Sequence, residues 1–231
     1  MQSAQRENAE ARGLGKVHGG EVELQLESGQ ILRASEIMVA TGRKPSLDSV
    51  GLESIGLTPQ DILENKMPPW LYALGDAGGK TALTHQGKYE ARVLGSALAG
   101  KNELKMPTDE VPVPQIIFSN PQVAHVGQTL VQAKKQGIDA LIVRATMKEV
   151  AGALLLSNST PGFGELVVEK ESGRLLGATF VGNEVSDLLH AATVAVLAQL
   201  PVKLLRHAVP AYPTASEIWL RLLEKVPTEL R

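Results

Sequence analysis

The chain has 231 residues, a net charge of −2, 3% aromatic residues and no cysteine. Without basic runs or basic–aromatic interleaving it is not built to bind nucleic acid, and without cysteine it is not a disulfide scaffold. No apolar stretch approaches the roughly 20 residues that span a bilayer and no signal-peptide core opens the chain, so no membrane partner is expected and the expected location is cytoplasmic.

Residues 1 to about 19 are polar, carry Gly13, Gly15, Gly19 and Gly20, and read as a frayed or truncated start. Val22 to Leu26 alternates apolar and polar with period two, as a half-buried strand does. Ser28-Gly29 is a turn, and Ile31 to Ala34 begins the return strand. A third, apolar strand from Glu36 to Ala40 runs into Thr41-Gly42-Arg43-Lys44-Pro45. Gly42 permits a sharp turn there.

Trp70 to Leu74 is the next predicted strand, ending in Gly75-Asp76-Ala77, and a helical pattern continues through His85 to about Leu98. A carboxylate at such a junction caps the following helix or accepts hydrogen bonds from the hydroxyls of a bound sugar or ribityl chain. A helix starting here aims free backbone N–H groups at a ligand above it. Gly75 and Gly78-Gly79 let a ring and the backbone come close without an intervening Cβ.

Met106-Pro107 and Val111-Pro112-Val113-Pro114 form a proline-punctuated linker. A strand from Ile116 to Phe118 and a helix from Leu130 to Gln136, stopped by Gly137, come next. Strands are predicted at Ala140 to Arg144, Ala153 to Ser157, Glu165 to Glu169 and Leu175 to Val181, with Ser172-Gly173 turning between the last two. Helices close the chain: Val185 to Leu200, a short one from Pro201 to His207, and Thr214 to about Lys225. Antiparallel strands backed by helices make an α+β module. His18, His125 and His190 have no paired ligand at metal-binding spacing, so no metal is expected.

Four segments now stand in order: Ala40-Thr41-Gly42-Arg43, Ala73-Leu74-Gly75-Asp76-Ala77, Ile116 through Gly127, and Ala211-Tyr212-Pro213-Thr214-Ala215-Ser216-Glu217. Their order and spacing resemble the C-terminal half of the class I pyridine nucleotide–disulfide oxidoreductases, flavoproteins such as dihydrolipoamide dehydrogenase, glutathione reductase and mercuric reductase. The resemblance runs from about Val22 to Leu223. It implies a fold of α/β plus α+β type in three parts. Residues 1–45 would be the tail of an NAD(P)-binding domain, 46–105 the C-terminal part of an FAD-binding Rossmann-like domain, and 106–231 an interface domain through which a homodimer forms.

The resemblance also assigns roles. Asp76 would meet the flavin ribityl hydroxyls, with Gly75 and the N–H groups near Ala77 at the ring edge. Thr41, Gly42 and Arg43 would touch the adenosine side, and His85 would line the flavin edge or be an ordinary helix side chain. The family's Gly-x-Gly-x-x-Gly turns and its Cys-x4-Cys pair do not occur here, which implies a partner N-terminal half that carries them. At the end of the chain the family has His-Pro-Thr-x-x-Glu, whose histidine serves the partner subunit as acid–base. Here Tyr212 takes the place of that histidine and Glu217 is retained. An unperturbed tyrosine titrates near about 10 and is a poor base at neutral pH. His207 is read as a helix-terminal residue, not a replacement.

Two readings follow. In one, the chain is part of an FAD-dependent oxidoreductase passing electrons from NAD(P)H through FAD to a disulfide, quinone or metal-ion acceptor. In the other, it is a non-catalytic dimerisation module derived from that family.

Overall fold

The computed structural model describes residues 21–79, 81–101, 111–156 and 162–231, together with the backbone of strands at 3–6, 10–12 and 16–18. The fold is mixed α/β with sheets, in two compact units. Residues 1–73 and 77–79 form one; residues 74–76 and 80–231 form the other. Among the described residues no helix is long and apolar enough to cross a membrane.

In the first unit, β1 (Ser3–Arg6), β4 (Val22–Gln25) and β5 (Ile31–Ala34) make an antiparallel sheet in the order β1-β4-β5. A separate pair joins β2 (Glu10–Arg12) to β3 (Lys16–His18). The chain start is therefore strand-bearing, not frayed as expected, because Ser3–Arg6 finds the free edge of β4. Gly13, Gly15, Gly19 and Gly20 lie outside the described residues.

A small core of Leu47, Leu52 and Ile62 follows, flanked by Leu57, Met67, Leu71, Ala73 and Ala77. The helix α1 (Pro59–Leu63) delivers Ile62 to it. Its start is fixed by a reciprocal cap in which Thr58 Oγ1 accepts from the Asp61 N–H and the Asp61 carboxylate accepts from the Thr58 N–H. Two expected strands do not form. Glu36 to Ala40 and Trp70 to Leu74 carry no strand, and Met38, Val39 and Trp70 are exposed. A strand exists through its neighbours' hydrogen bonds, and no described segment pairs with either.

A 3-10 turn covers Gly75–Gly78, of which Gly75 and Asp76 belong to the second unit; a long helix of that unit is α2 (Thr84–Leu98). The unit's main body is a five-stranded antiparallel sheet of β6 (Gln115–Ile117), β7 (Gln122–Gly127), β8 (Ala140–Thr146), β9 (Phe163–Glu169) and β10 (Leu175–Gly182), in the order β6-β7-β10-β9-β8. Helices α3 (Leu130–Lys135), α4 (Ala151–Leu156), α5 (Leu189–Leu197), α6 (Val202–Leu205) and α7 (Ile218–Glu224) complete it. Gly137, at a positive φ of 77°, ends α3 as the sequence predicts.

Side chains alternate across this sheet. One face contributes Ala124, Val126, Val143, Ala145, Leu166, Val168 and Phe180 to the main core, closed by α5 and α7 through Leu189, Ala192, Ile218 and Leu222. Phe180 meets the Trp219 ring at 5.6 Å between centroids, tilted by 58°. The other face places Val167 and Leu176 against Ala133 of α3. It also carries a row of polar residues directly opposite one another on all five strands: Gln115, His125, Thr179, Glu165 and Arg144. Within the row the Thr179 hydroxyl donates to His125 Nδ1 at 2.9 Å, His125 Nε2–H donates to the Gly127 carbonyl, and Arg144 Nε–H donates to Glu165.

Two further expectations change here. Ala153 to Ser157 is not a strand: residues 151–156 form α4, and Ser157 lies outside the described residues, as does Met106-Pro107 of the linker. Gly152 lets α4 lie directly on the backbone of Thr214, an approach open to a helix at this place. Conversely, β7 is a six-residue strand in the sheet interior, where the sequence reading has only Ile116 to Phe118.

Candidate functional site

The segment expected to face a cofactor is held by its glycines. Gly75 has φ +55° and begins the 3-10 turn. Its N–H donates to Glu90 Oε2 of α2 at 2.8 Å. The buried Gln86, one helical turn earlier, donates its amide to Glu90 Oε1 at 3.2 Å. Between them on the helix, Gly87 lies so close that an added Cβ would come 3.2 Å from the Gly75 Cα. The neighbouring Asp76 side chain is exposed, and Ala77 packs into the small core of the first unit.

The long helix does not start where the sequence suggests. A single 3-10 turn follows Gly75, and α2 begins at Thr84. The N–H groups near Ala77 therefore belong to a short turn and lack the aligned dipole of a long helix. His85 is in the first turn of α2. Its Nε2–H donates to the Pro114 carbonyl at 2.8 Å, tying the start of α2 to the residue before β6.

Thr41, Gly42 and Arg43 are exposed; the chain bends at Thr41, and Gly42 follows with φ +130°, a conformation that favours glycine. They belong to the first unit, whereas Gly75, Asp76, His85, Tyr212 and Glu217 belong to the second. Tyr212 is 77% exposed and follows α6 in an irregular loop. Glu217 is 8% exposed, and its Oε2 accepts no hydrogen bond among the described residues. The phenol of Tyr212 and the carboxylate of Glu217 are not hydrogen-bonded to each other. Glu217 instead sits at the N-cap position of α7, beside the Phe180–Trp219 core.

Sequence reasoning passed over Gln86 and Glu90. The signal available was their i, i+4 spacing on one helix face; what it could not supply was the contact with Gly75, fifteen residues away. A cavity of about 620 Å³ lies elsewhere in the second unit, lined by Gln115, Gln128, Arg174, Leu176, Val196 and Gln199 among others; none of the candidate residues lines it. No group of three metal-ligating side chains occurs among the described residues.

The pyridine nucleotide-disulphide oxidoreductase dimerisation domain matches residues 113–222. The chain is 34% identical over 198 residues to a dihydrolipoyl dehydrogenase of Geobacillus stearothermophilus, covering 83% of this chain and 41% of the relative. A dihydrolipoyl dehydrogenase of Synechocystis is 31% identical over 221 residues, covering 87% and 46%. The chain thus spans less than half the length of these relatives. Among solved structures, the HOCl-induced flavoprotein disulfide reductase RclA of Escherichia coli superposes with a TM-score of 0.76 at 24% identity, covering 91% of this chain and 49% of that one. LpdA of Mycobacterium tuberculosis gives 0.77 at 19%, covering 97% and 49%. These two likenesses bear on the fold, which they share. Residues 113–222 therefore match the dimerisation domain of the pyridine nucleotide–disulfide oxidoreductases, and the chain is similar to the C-terminal region of class I members of that family.

Proposed function

We propose that the chain is the C-terminal part of an FAD-dependent oxidoreductase that passes electrons from NAD(P)H through FAD to a disulfide, quinone or metal-ion acceptor. The observation that carries this reading is the 34% identity to dihydrolipoyl dehydrogenase over most of the chain. Within it, residues 1–45 are the tail of an NAD(P)-binding domain, 46–105 the end of an FAD-binding domain and 106–231 the dimerisation domain of a cytoplasmic homodimer. An N-terminal half supplies the glycine-rich loops.

The residues present fit a flavin. Asp76 stands exposed on a turn whose other members, Gly75, Ala77 and Gly78, carry no bulk, so a hydroxylated chain and a flat ring have room to approach. The bound flavin would take a hydride from the nicotinamide and pass the electrons on. Asp76 accepts hydrogen bonds from the ribityl hydroxyls, Gly75 and Ala77 meet the ring edge, and Thr41, Gly42 and Arg43 meet the adenosine side. His85 fixes α2 through Pro114 and acts through the backbone. Tyr212, exposed and ahead of α7, reaches the partner subunit's site as a hydrogen-bond donor. A phenol there favours acceptors that need no thiol protonation, quinones and metal ions foremost.

The test is to assemble the chain with its N-terminal half and record the flavin absorbance band, followed by NADH and NADPH oxidation with quinone and disulfide acceptors. Flavin that co-purifies with the assembly, and is lost in Asp76→Ala, supports the reading. An assembly that is dimeric and colourless overturns it in favour of a non-catalytic dimerisation module.

A further inference from the structure

We propose that Glu90 is a positioning residue of the flavin site: its carboxylate, braced by Gln86, holds the Gly75 N–H and so sets where Asp76 stands. The inference rests on the flavin reading of Asp76.

Gly75 is held only through its backbone. With φ at +55° its N–H turns towards α2, where Glu90 Oε2 receives it at 2.8 Å. A carboxylate acceptor makes this a charge-assisted bond, stronger than one between neutral groups. The second oxygen is occupied by the Gln86 amide, which is itself buried, so the carboxylate has one rotamer that satisfies both donors. Glu90 forms no ion pair among the described residues, so its charge is committed to neutral donors. Gly87 packs closely on the same point: a Cβ there would come 3.2 Å from the Gly75 Cα, and one on Gly75 would come 3.3 Å from the Gly87 Cα, tighter than ordinary contact. Asp76 follows directly on this anchored peptide, so its exposed side chain departs from a fixed stretch of backbone.

An ordinary helix–turn contact would stabilise the fold without affecting a ligand, so two readouts are needed. The first is exchange of the Gly75 amide proton in the isolated chain. Glu90→Ala is expected to speed it by about tenfold or more, whereas Glu90→Gln, which keeps an acceptor oxygen, stays within about twofold. The second is FAD affinity and flavin reduction potential of the assembled protein, where Glu90→Ala is expected to weaken binding about fivefold or more and shift the potential, with Glu90→Gln restoring both. If Glu90→Ala does not fold, Gln86→Leu removes the brace while keeping the carboxylate and is read the same way.

Unchanged Gly75 exchange in Glu90→Ala overturns the inference. So does faster exchange with parental FAD affinity and potential, when Asp76→Ala weakens binding; the flavin reading then stands alone. A parent assembly that binds no FAD overturns both.

Discussion

Gly152 and Thr214 are packed backbone to backbone: a Cβ on Gly152 would lie 2.1 Å from the Thr214 carbonyl carbon and 2.4 Å from its Cα. This contact seats α4 beside the loop that carries Tyr212 and Pro213, and Thr214 in turn donates its hydroxyl to the Ala211 carbonyl at 2.6 Å. Backbone atoms have no rotamer with which to yield. Gly152→Ala is therefore expected to cost about 1–3 kcal/mol by overpacking, despite alanine's better helix propensity. Thermal melting measures the loss, and a stabilised Gly152→Ala would show that α4 does not sit on this loop.

Phe180 lies at the centre of the main core, fully buried and against Trp219. Phe180→Ala is expected to lower unfolding free energy by about 3–5 kcal/mol. Urea unfolding should show a lower midpoint with an unchanged slope. A loss under about 1 kcal/mol would mean that this core does not set the stability of the second unit.

Asp61 supplies a pH dependence. Its carboxyl is held below the ordinary 3.8 by the hydrogen bond from the Thr58 side chain, then by the Thr58 N–H, with Lys66 adding a smaller attraction. Glu64 is lowered as well, by Lys66 first and then Gln60. A depressed value in the folded state means that the contribution is complete above the unfolded value, near about 4, and is lost as pH falls through the folded value below it. Melting temperature measured from about pH 6 down to about pH 2.5 should decline less steeply in Asp61→Asn than in the parent. Parallel curves would show that the reciprocal cap on α1 does not persist in solution.

Tyr212 is exposed, so Tyr212→His should leave stability within about 0.5 kcal/mol. On the proposed flavoenzyme reading, the assembled protein carrying this substitution should raise disulfide reduction relative to quinone reduction by about tenfold or more, since imidazole exchanges protons near neutral pH and a phenol does not. The ratio of the two steady-state rates decides it. An unchanged ratio would mean that Tyr212 does not reach the acceptor site.

Where the sequence carried a local signal, it could be read. Val22–Gln25 alternates, Gly137 stops α3, and Ser172-Gly173 turns between β9 and β10. Ambiguity began where neighbours decide. Ala151 to Leu156 is a short apolar run that suits a buried strand or a helix equally, and its contact with Thr214 settles it as helix. Glu36 to Ala40 and Trp70 to Leu74 have strand composition and no hydrogen-bonded neighbour. In β7, Gln122 and His125 disguise an alternation whose inward residues, Ala124 and Val126, are both buried. The site divides in the same way. Gly75-Asp76 stands out in the sequence only beside the other three segments, because glycine next to a carboxylate at an element junction is common. Glu90 does not, because a glutamate on an amphipathic helix is ordinary until a backbone N–H from another segment is found pointing at it.

Sliding any one strand of the five-stranded sheet by a single residue would exchange its two faces. For β7 or β9 that slip would carry His125 or Glu165 into the layer of Phe180 and Leu166. A slip of two residues keeps the apolar side chains inward but parts Arg144 from Glu165, or His125 from Thr179. Odd and even misalignments are thus rejected by different forces, desolvation of polar groups for one and broken side-chain pairs for the other. The polar row is in this sense a parity check on strand alignment, spread over all five strands.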